Sequence, residues 1–222
     1  MKYLITLSES FKFLFPDFKG AALYAEVRNS ETPEQLKNEI NQLSDTLHQQ
    51  YTTQSIKERS GIAATRQAYK RIGKDPSRYR PACEQLARRI IQGKGLYTVN
   101  TIVDIINYAS LYSGYSTAAL DATQIIGNHI TVDFGKSDEL YEGIGRGRLN
   151  IENLPIYRDD IGGFATPTSD STRTMININS TKLLVLINAY DGNTEHLNKT
   201  LEVTLNLLKK YAYSEKSEYI YY

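Results

Sequence analysis

The sequence predicts an α+β fold in which helices of the first half pack on a layered β-sheet or β-sandwich in the second half. Three observations lead to this prediction. Apolar residues recur at three- and four-residue steps between residues 33 and 109, as on amphipathic helices. Short runs with strand-like composition follow between residues 129 and 190, separated by Gly, Asp and Asn. A last segment from Asn193 returns to the helical period, with leucines at 197, 201, 205 and 208.

The first half begins with a predicted strand and continues with helices. Residues 18–29 (FKGAALYAEVRN) have the aromatic and β-branched content of a strand. Pro33 suits the first turn of a helix that extends to about residue 50, because proline lacks the amide that this turn leaves unbonded. A second helix is expected over 60–71.

Two more helices are expected before residue 110. Pro81 and Gly93 bracket the third, since proline suits a helix start and glycine the residue just past its end. Cys83 falls on the apolar stripe of this helix and is therefore expected in the core, not as a nucleophile. Asn100 is the expected N-cap of the fourth helix.

The second half is predicted to consist mainly of strands. A short helical turn is expected first, over 117–125. The strands expected after it cover 129–134, 154–159, 161–165 and 182–190. The last of these, KLLVLINAY, is almost wholly apolar and should be buried on both faces. The glycine-rich YEGIGRG at 141–147 favours a hairpin over a phosphate-binding loop, because no helical pattern follows it.

The overall composition is ordinary for a globular protein. Of 222 residues, 41% are hydrophobic and 23% are charged, and the formal net charge is +1. The single cysteine excludes an internal disulfide framework, so the cytoplasm is the expected location. No run of about 18 apolar residues is present, so no membrane is expected as a partner. The three histidines lack metal-ligand spacing, and no metal or other cofactor is expected. The tyrosine-rich end, over 211–222, is expected to pack on the surface.

Positive charge is concentrated between residues 66 and 94, where nine basic residues accompany two acids. With Tyr69 and Tyr79 interleaved, this composition is typical of a surface that binds nucleic acid. The residues expected to contact RNA are Lys70, Arg71, Lys74, Arg78 and Arg80. The alternative is structural, because Arg88 and Arg89 in the last turn of a helix complement its dipole.

A cluster of short polar side chains occupies residues 169–175 (SDSTRTM), between two predicted strands. Such residues commonly bond their own backbone in turns. They can also form a small polar pocket for an amine, a hydroxyl or a phosphate. Sequence alone leaves both interpretations open.

Several stretches of the chain, in order, resemble the B3/B4 domain of the phenylalanyl-tRNA synthetase beta subunit and its free-standing relatives. The most specific part of the resemblance is the pattern V-D-x-x-N-Y followed by L-D-x-x-x-I. This part is carried by Asn100, Val103, Asp104, Asn107, Tyr108, Asp121 and Ile125. The resemblance covers about 60–190. It implies a single B3/B4-like domain over 1–222, with a strand–helix extension over 1–59 and a helix and tail over 191–222.

The resemblance implies an editing function. In the synthetase, this domain hydrolyses tyrosine wrongly attached to phenylalanine tRNA. A free-standing relative would bind the aminoacylated 3′ end of a tRNA and hydrolyse a mischarged ester in trans, whereas 222 residues cannot hold a complete ligase. The catalytic candidates are Asp170, Ser171 and Thr172. The substrate-binding candidates are Ala118, Ser169 and Arg173.

Two positions depart from the family pattern. Ala118 stands where bacterial synthetases have a pocket histidine. No glutamate lies within 162–173, where the synthetase reads the tyrosine hydroxyl. Tyrosine specificity therefore stays open, and a non-catalytic RNA- or small-molecule-binding domain is the alternative function. Asp104 and Asn107, one helical turn apart, are expected to bond their helix to the adjacent loop.

Overall fold

The computed structural model describes residues 2–222. The α-helices of this part cover Glu9–Leu14 (α1), Glu34–Gln50 (α2), Ser60–Arg71 (α3), Ala82–Ile91 (α4), Thr101–Ser113 (α5) and Thr194–Ala212 (α6). The strands cover Leu4–Leu7 (β1), Lys19–Glu26 (β2), Ser116–Asp121 (β3), His129–Phe134 (β4), Glu142–Gly143 (β5), Gly147–Arg148 (β6), Pro155–Arg158 (β7), Gly163–Ala165 (β8), Lys182–Ala189 (β9) and Ser217–Tyr221 (β10). The predicted α+β class is confirmed.

Two four-stranded sheets and a layer of helices build the fold. The first sheet has the order β10-β2-β9-β3 and is antiparallel throughout. The second has the order β1-β4-β7-β8, in which β1 runs parallel to β4. The core between the sheets contains Ala22, Leu120, Leu184 and Leu186 of the first and Ile130, Val132 and Phe164 of the second. Helices α2, α5 and α6 cover the other face of the first sheet.

Strand β9 lies at the centre of this arrangement. Its residues from Leu183 to Ala189 are all buried, since the helices cover one face and the second sheet covers the other. The prediction of a strand buried on both faces is confirmed. One polar residue, Asn188, interrupts the apolar run.

Helix α5 begins and ends as its sequence predicts. The Asn100 side chain accepts a hydrogen bond from the amide of Val103 at 3.0 Å, which satisfies one of the free amides of the first turn. Gly114 ends the helix in a left-handed conformation, with φ of 77°. The predicted helices over 60–71 and from the 193–194 region are confirmed as α3 and α6. The start of α2 differs from the prediction by one residue: Pro33 is at the N-cap position and the helix begins at Glu34.

The carboxylate of Asp104 on α5 is buried and bonds to neighbouring loops, as predicted. It accepts hydrogen bonds from the Thr32 hydroxyl at 2.6 Å and from the Val99 amide at 3.2 Å. Asn107, in contrast, makes no side-chain hydrogen bond to any residue of 2–222. Only one of the two residues therefore holds the helix to its loops.

The helical turn expected over 117–125 is wrong, because Ser116–Asp121 forms strand β3. Alanine and leucine favour helices locally, but here the residues alternate between buried and half-buried positions up to Leu120, which is the period of a strand. Pairing with β9, in which Ala118 lies opposite Leu186, fixes this conformation. Contacts distant in sequence thus override the local preference.

The ends of the chain form elements that the sequence did not predict. Strand β1 and helix α1 precede β2, and residues 217–221 join the first sheet as β10 next to β2. These residues stay largely exposed at the edge of the sheet, which agrees with the expected packing on the surface, but their strand conformation was not predicted. The Tyr222 hydroxyl lies 2.8 Å from that of Tyr157, between the two sheets. Within residues 2–222, no helix has both the length and the apolar character needed to cross a bilayer.

Candidate functional site

A narrow cleft lies where strand β3, at the edge of the first sheet, meets the loop after β8. Residues 116–118 form one part of the lining, and residues 165–167, 169 and 170 form another. Ala82, Tyr157 and Asn188 complete the lining, and the free volume is about 30 Å³. Three of the residues assigned from the sequence, Ala118, Ser169 and Asp170, lie together in this cleft.

Asp170 is the acidic residue of the cleft lining, and its protonation is unusual. Burial of the carboxyl group raises the pKa of Asp170 to about 8, although a hydrogen bond from the Thr166 backbone opposes the shift. No ion pair to Asp170 exists within residues 2–222. A carboxyl group with a pKa near neutrality can accept a proton and return it at physiological pH, and such groups are concentrated at functional sites.

Hydrogen bonds fix the backbone that carries Asp170. The Thr166 hydroxyl accepts hydrogen bonds from the amides of Thr168 and Ser169 at 3.1 and 3.0 Å. The predicted hairpin is present as β5 and β6, and it rests on the same loop. The Ile144 amide donates to the carbonyl oxygen of Asp170 at 2.9 Å, and the Ser169 hydroxyl donates to the carbonyl oxygen of Ile144 at 3.2 Å. The turn interpretation of this polar cluster is therefore confirmed, whereas the binding of a substrate group by the same cluster stays a prediction.

The sequence did not single out two polar residues of the cleft. The Tyr157 hydroxyl lies 2.7 Å from the side-chain oxygen of Asn188. The Asn188 amide group donates to the carbonyl oxygen of Ser116 at 3.0 Å. The sequence does carry a signal for Asn188, because a polar residue inside an otherwise apolar strand needs a buried partner. No such signal marks Tyr157, whose place depends on the packing of the two sheets.

Ser171, Thr172 and Arg173 line a different space. They lie on a groove of about 750 Å³, which Leu140 and Ile161 also line. The groove and the cleft are therefore lined by consecutive parts of the same loop. Of the predicted site residues, the structure brings Ala118, Ser169 and Asp170 together and separates these three from the remaining ones.

Arg173 is held by an internal ion pair. Its guanidinium donates to both carboxylate oxygens of the buried Asp159 at 2.9 Å each. Burial alone would raise the pKa of Asp159, but hydrogen bonds from Arg173 and from the amides of Ile126 and Gly162 lower it. A substrate would have to compete with Asp159 for the guanidinium, and a substrate-binding role of Arg173 stays a prediction.

Cys83 is a core residue, as predicted. It is free and buried, and burial raises the pKa of its thiol to about 11. A thiol in this state is almost fully protonated near neutral pH and is a weak nucleophile. No group of three His, Cys, Asp or Glu side chains converges as a metal site within residues 2–222.

Part of the basic segment serves the protein's own structure. The Glu84 carboxylate is completely buried and lies 2.8 Å from the Arg66 guanidinium and 2.7 Å from that of Arg88. Arg80 lies 3.8 Å from the same carboxylate. Arg71 donates to the carbonyl oxygen of Leu14 at 2.7 Å. Two of the five residues expected to contact RNA, Arg71 and Arg80, therefore have internal partners.

The other three residues expected to contact RNA face solvent, with Lys70 at the end of α3 and with Lys74 and Arg78 on the loop that follows it. Lys70 and Arg78 are exposed and Lys74 is half-buried. The Tyr79 ring lies under the last two of them, with Lys74 Nζ 4.9 Å and the Arg78 guanidinium 5.7 Å from its centre. The Thr168 hydroxyl donates to the Tyr79 carbonyl oxygen at 2.8 Å. The loop that carries the basic side chains therefore contacts the loop that leads to the cleft wall.

Comparisons with known proteins identify the family and agree with the fold. The sequence model of the B3/4 domain family matches residues 64–212. Among solved structures, an N-terminal fragment of the phenylalanyl-tRNA synthetase beta subunit from Pyrococcus horikoshii is similar, with a TM-score of 0.50 and 10% sequence identity. The match covers 99% of this chain and 50% of that fragment, so the chain spans half the length of its structural relative. At this identity the likeness shows the fold alone. No curated protein matches the sequence.

Proposed function

The chain belongs to the B3/4 domain family, and on that premise we propose that it binds the aminoacylated 3′ end of a tRNA and hydrolyses the ester in the Asp170 cleft. One observation carries the proposal, namely a carboxyl group with a pKa of about 8 in a cleft next to a basic surface. The fold likeness to a fragment of a tRNA synthetase subunit supports the choice of tRNA as the partner.

The proposed reaction needs one water molecule and no protein nucleophile. The ionised Asp170 carboxylate takes a proton from the water, and the water oxygen attacks the carbonyl carbon of the ester. The bond between that carbon and the ribose oxygen then breaks. The proton returns from Asp170 to the ribose oxygen, so the products are a free amino acid and an uncharged tRNA.

Of the other possible nucleophiles near the cleft, Cys83 and Ser116 are already engaged, whereas Thr117 Oγ1 in the lining has no hydrogen-bond partner within residues 2–222. The Cys83 thiol is buried and protonated because its pKa is raised to about 11. The Ser116 hydroxyl donates to the carbonyl oxygen of Pro167 at 3.0 Å. Ser171 and Thr172 line the groove and not the cleft. We therefore assign the role of general base to Asp170.

The basic surface supplies the proposed affinity for RNA. Lys70, Lys74 and Arg78 present positive charge to solvent, and the loop of the last two contacts the loop that leads to the cleft. Lysine and arginine bind phosphates independently of base sequence. The proposed location is the cytoplasm, because the lone Cys83 is a free thiol and a reducing compartment preserves this state.

The small cleft volume favours a second candidate function. A free space of about 30 Å³ holds roughly two water molecules, which also suits a binding domain that has kept the scaffold and lost the reaction. In that case the basic surface would bind tRNA and every ester would persist.

A single-turnover experiment tests the proposal. Excess protein is mixed with a panel of tRNAs, each charged with a correct or an incorrect amino acid, and the ester that remains is followed over time. We expect faster loss of at least one ester than in buffer. Asp170→Asn should abolish this gain, whereas Asp45→Asn, the same change at an exposed site on α2, should preserve it. If every ester persists, the hydrolase proposal is wrong and the binding domain is the better account.

A further inference from the structure

The space beside Asp170 is very small for an amino acid side chain. Its free volume is about 30 Å³. One water molecule needs about 10–15 Å³ of such space, whereas an apolar cavity that binds benzene has roughly 150 Å³. The cleft can therefore take a hydrogen atom or a methyl group in place of its water, but it cannot take a phenyl or phenol ring.

The alanine part of the cleft lining cannot open by a change of side-chain rotamer. Three of the lining residues are alanines, at positions 82, 118 and 165, and alanine has no rotatable side-chain carbon. Ala118 and Ala165 are 6% and 1% exposed and pack in the core between the two sheets. A larger cleft would need a shift of the backbone in a closely packed region, which is costly.

The polar side of the cleft is also fixed. The Tyr157 hydroxyl is bonded to Asn188 at 2.7 Å and to the Tyr222 hydroxyl at 2.8 Å. Asn188 is in turn bonded to the Ser116 carbonyl oxygen at 3.0 Å. These hydrogen bonds connect the two sheets and hold the cleft at its present width. Discrimination by size is therefore the kind of selectivity that this lining provides.

We propose that the cleft accepts aminoacyl esters with the smallest side chains, those of glycine and alanine, and excludes those of phenylalanine and tyrosine. This inference rests on the proposed hydrolytic function. The reacting carbonyl lies beside Asp170 at the mouth of the cleft, and the side chain of the substrate replaces water between Ala118 and Ala165.

The test uses one tRNA body that is charged chemically with glycine, alanine, phenylalanine or tyrosine, so that only the side chain differs. Single-turnover rates are measured for each ester after subtraction of the rate in buffer. We expect the glycyl and alanyl esters to be cleaved at least about 100-fold faster than the tyrosyl ester, because each excess carbon in a tight pocket costs about 10-fold or more.

Two substitutions that narrow the cleft sharpen this test. Ala82→Val, at a half-buried position at the start of α4, should lower the ratio of the alanyl rate to the glycyl rate by about 10-fold. Ala118→Val should do the same and serves if the first variant does not fold. Ala64→Val, on α3 and outside the cleft lining, should leave the ratio unchanged.

The possible results separate size selection from hydrolysis itself. Rapid cleavage of the phenylalanyl or tyrosyl ester, or an unchanged ratio in both narrowed variants, overturns the size selection and leaves the hydrolytic function in place. Cleavage of none of these four esters overturns the size selection, and it overturns the hydrolytic function as well if every ester of the wider tRNA panel also persists. Cleavage confined to the small esters, with the expected change of ratio, supports both.

Discussion

Replacing Glu84 with glutamine tests whether part of the basic segment, residues 66–94, stabilises the fold. The Glu84 carboxylate has no exposure to solvent, and it lies 2.8 Å from the Arg66 guanidinium and 2.7 Å from that of Arg88. The glutamine keeps the size of the side chain and removes its charge. Two partly buried guanidinium groups then lose their counter-charge while remaining in the protein.

The expected loss of stability follows from the burial of the three groups. Removing one partner of a buried ion pair costs about 3–5 kcal/mol. The side chains of Arg66 and Arg88 are 15% and 20% exposed and therefore retain some hydration, so we expect a loss near about 3 kcal/mol. For a chain of this size, that loss corresponds to a fall in Tm of about 6–12 °C.

Equilibrium unfolding in urea measures the change, with the dependence on denaturant checked so that the two free energies are comparable. Glu202→Gln is the matched control, because Glu202 is an exposed glutamate on helix α6. This control should change the free energy of unfolding by less than about 0.5 kcal/mol. A loss of less than about 1 kcal/mol for Glu84→Gln, with an unchanged denaturant dependence, would refute the structural role.

Three further substitutions probe the RNA surface, the helix–loop contact and the cleft. Replacing Lys70, Lys74 and Arg78 with alanine should weaken binding of all tRNAs alike and flatten its salt dependence by about 0.7–0.9 per lost phosphate contact; an unchanged slope in filter binding would contradict this. Asp104→Asn should lower the free energy of unfolding by about 1–3 kcal/mol and preserve ester hydrolysis; loss of turnover at full stability would point to a catalytic role instead. The raised pKa of Asp170, about 8 in the folded protein, means that its protonated form stabilises the fold fully below about pH 4 and that this contribution is lost as the pH rises through about 8. The free energy of unfolding of Asp170→Asn should therefore fall by about 1–3 kcal/mol less between pH 5 and pH 9 than that of the unaltered protein. An equal fall in the two proteins, measured by thermal unfolding, would argue against this contribution.

The elements that the sequence predicts correctly have local signals. Helix α5 has a capping asparagine at its start and Gly114 at its end, and β9 is an unbroken apolar run except for Asn188. Strand β3 lacks a local signal, because its alanines favour a helix and only the pairing with β9 makes it a strand. Strand β10 likewise depends on a partner, β2, from the opposite end of the chain.

The candidate site was also only partly predictable. The polar cluster at 169–175 indicated Asp170 and Arg173 as site residues, and the resemblance placed Ala118 beside them. The sequence could not show that the half-buried Asp170 has no cation as a partner within residues 2–222 while Arg173 is bonded to Asp159. This difference arises because residues of both sheets surround Asp170, whereas Asp159 reaches Arg173 from 14 residues earlier in the chain. The ion pairs of Glu84 were not predicted either, although its three arginine neighbours are close in the chain: Arg88 of the same helix, Arg80 of the preceding loop and Arg66 of α3.

The pH dependence of single-turnover deacylation tests the central claim most directly. With the rate in buffer subtracted, the rate for the best ester of the panel should rise about tenfold per pH unit below the pKa of Asp170, which is about 8, and level off above it, because only the ionised carboxylate accepts the proton. Asp170→Asn should show no protein-dependent rate at any pH. Deacylation by Asp170→Asn at the rate and with the pH profile of the unaltered protein would contradict the account.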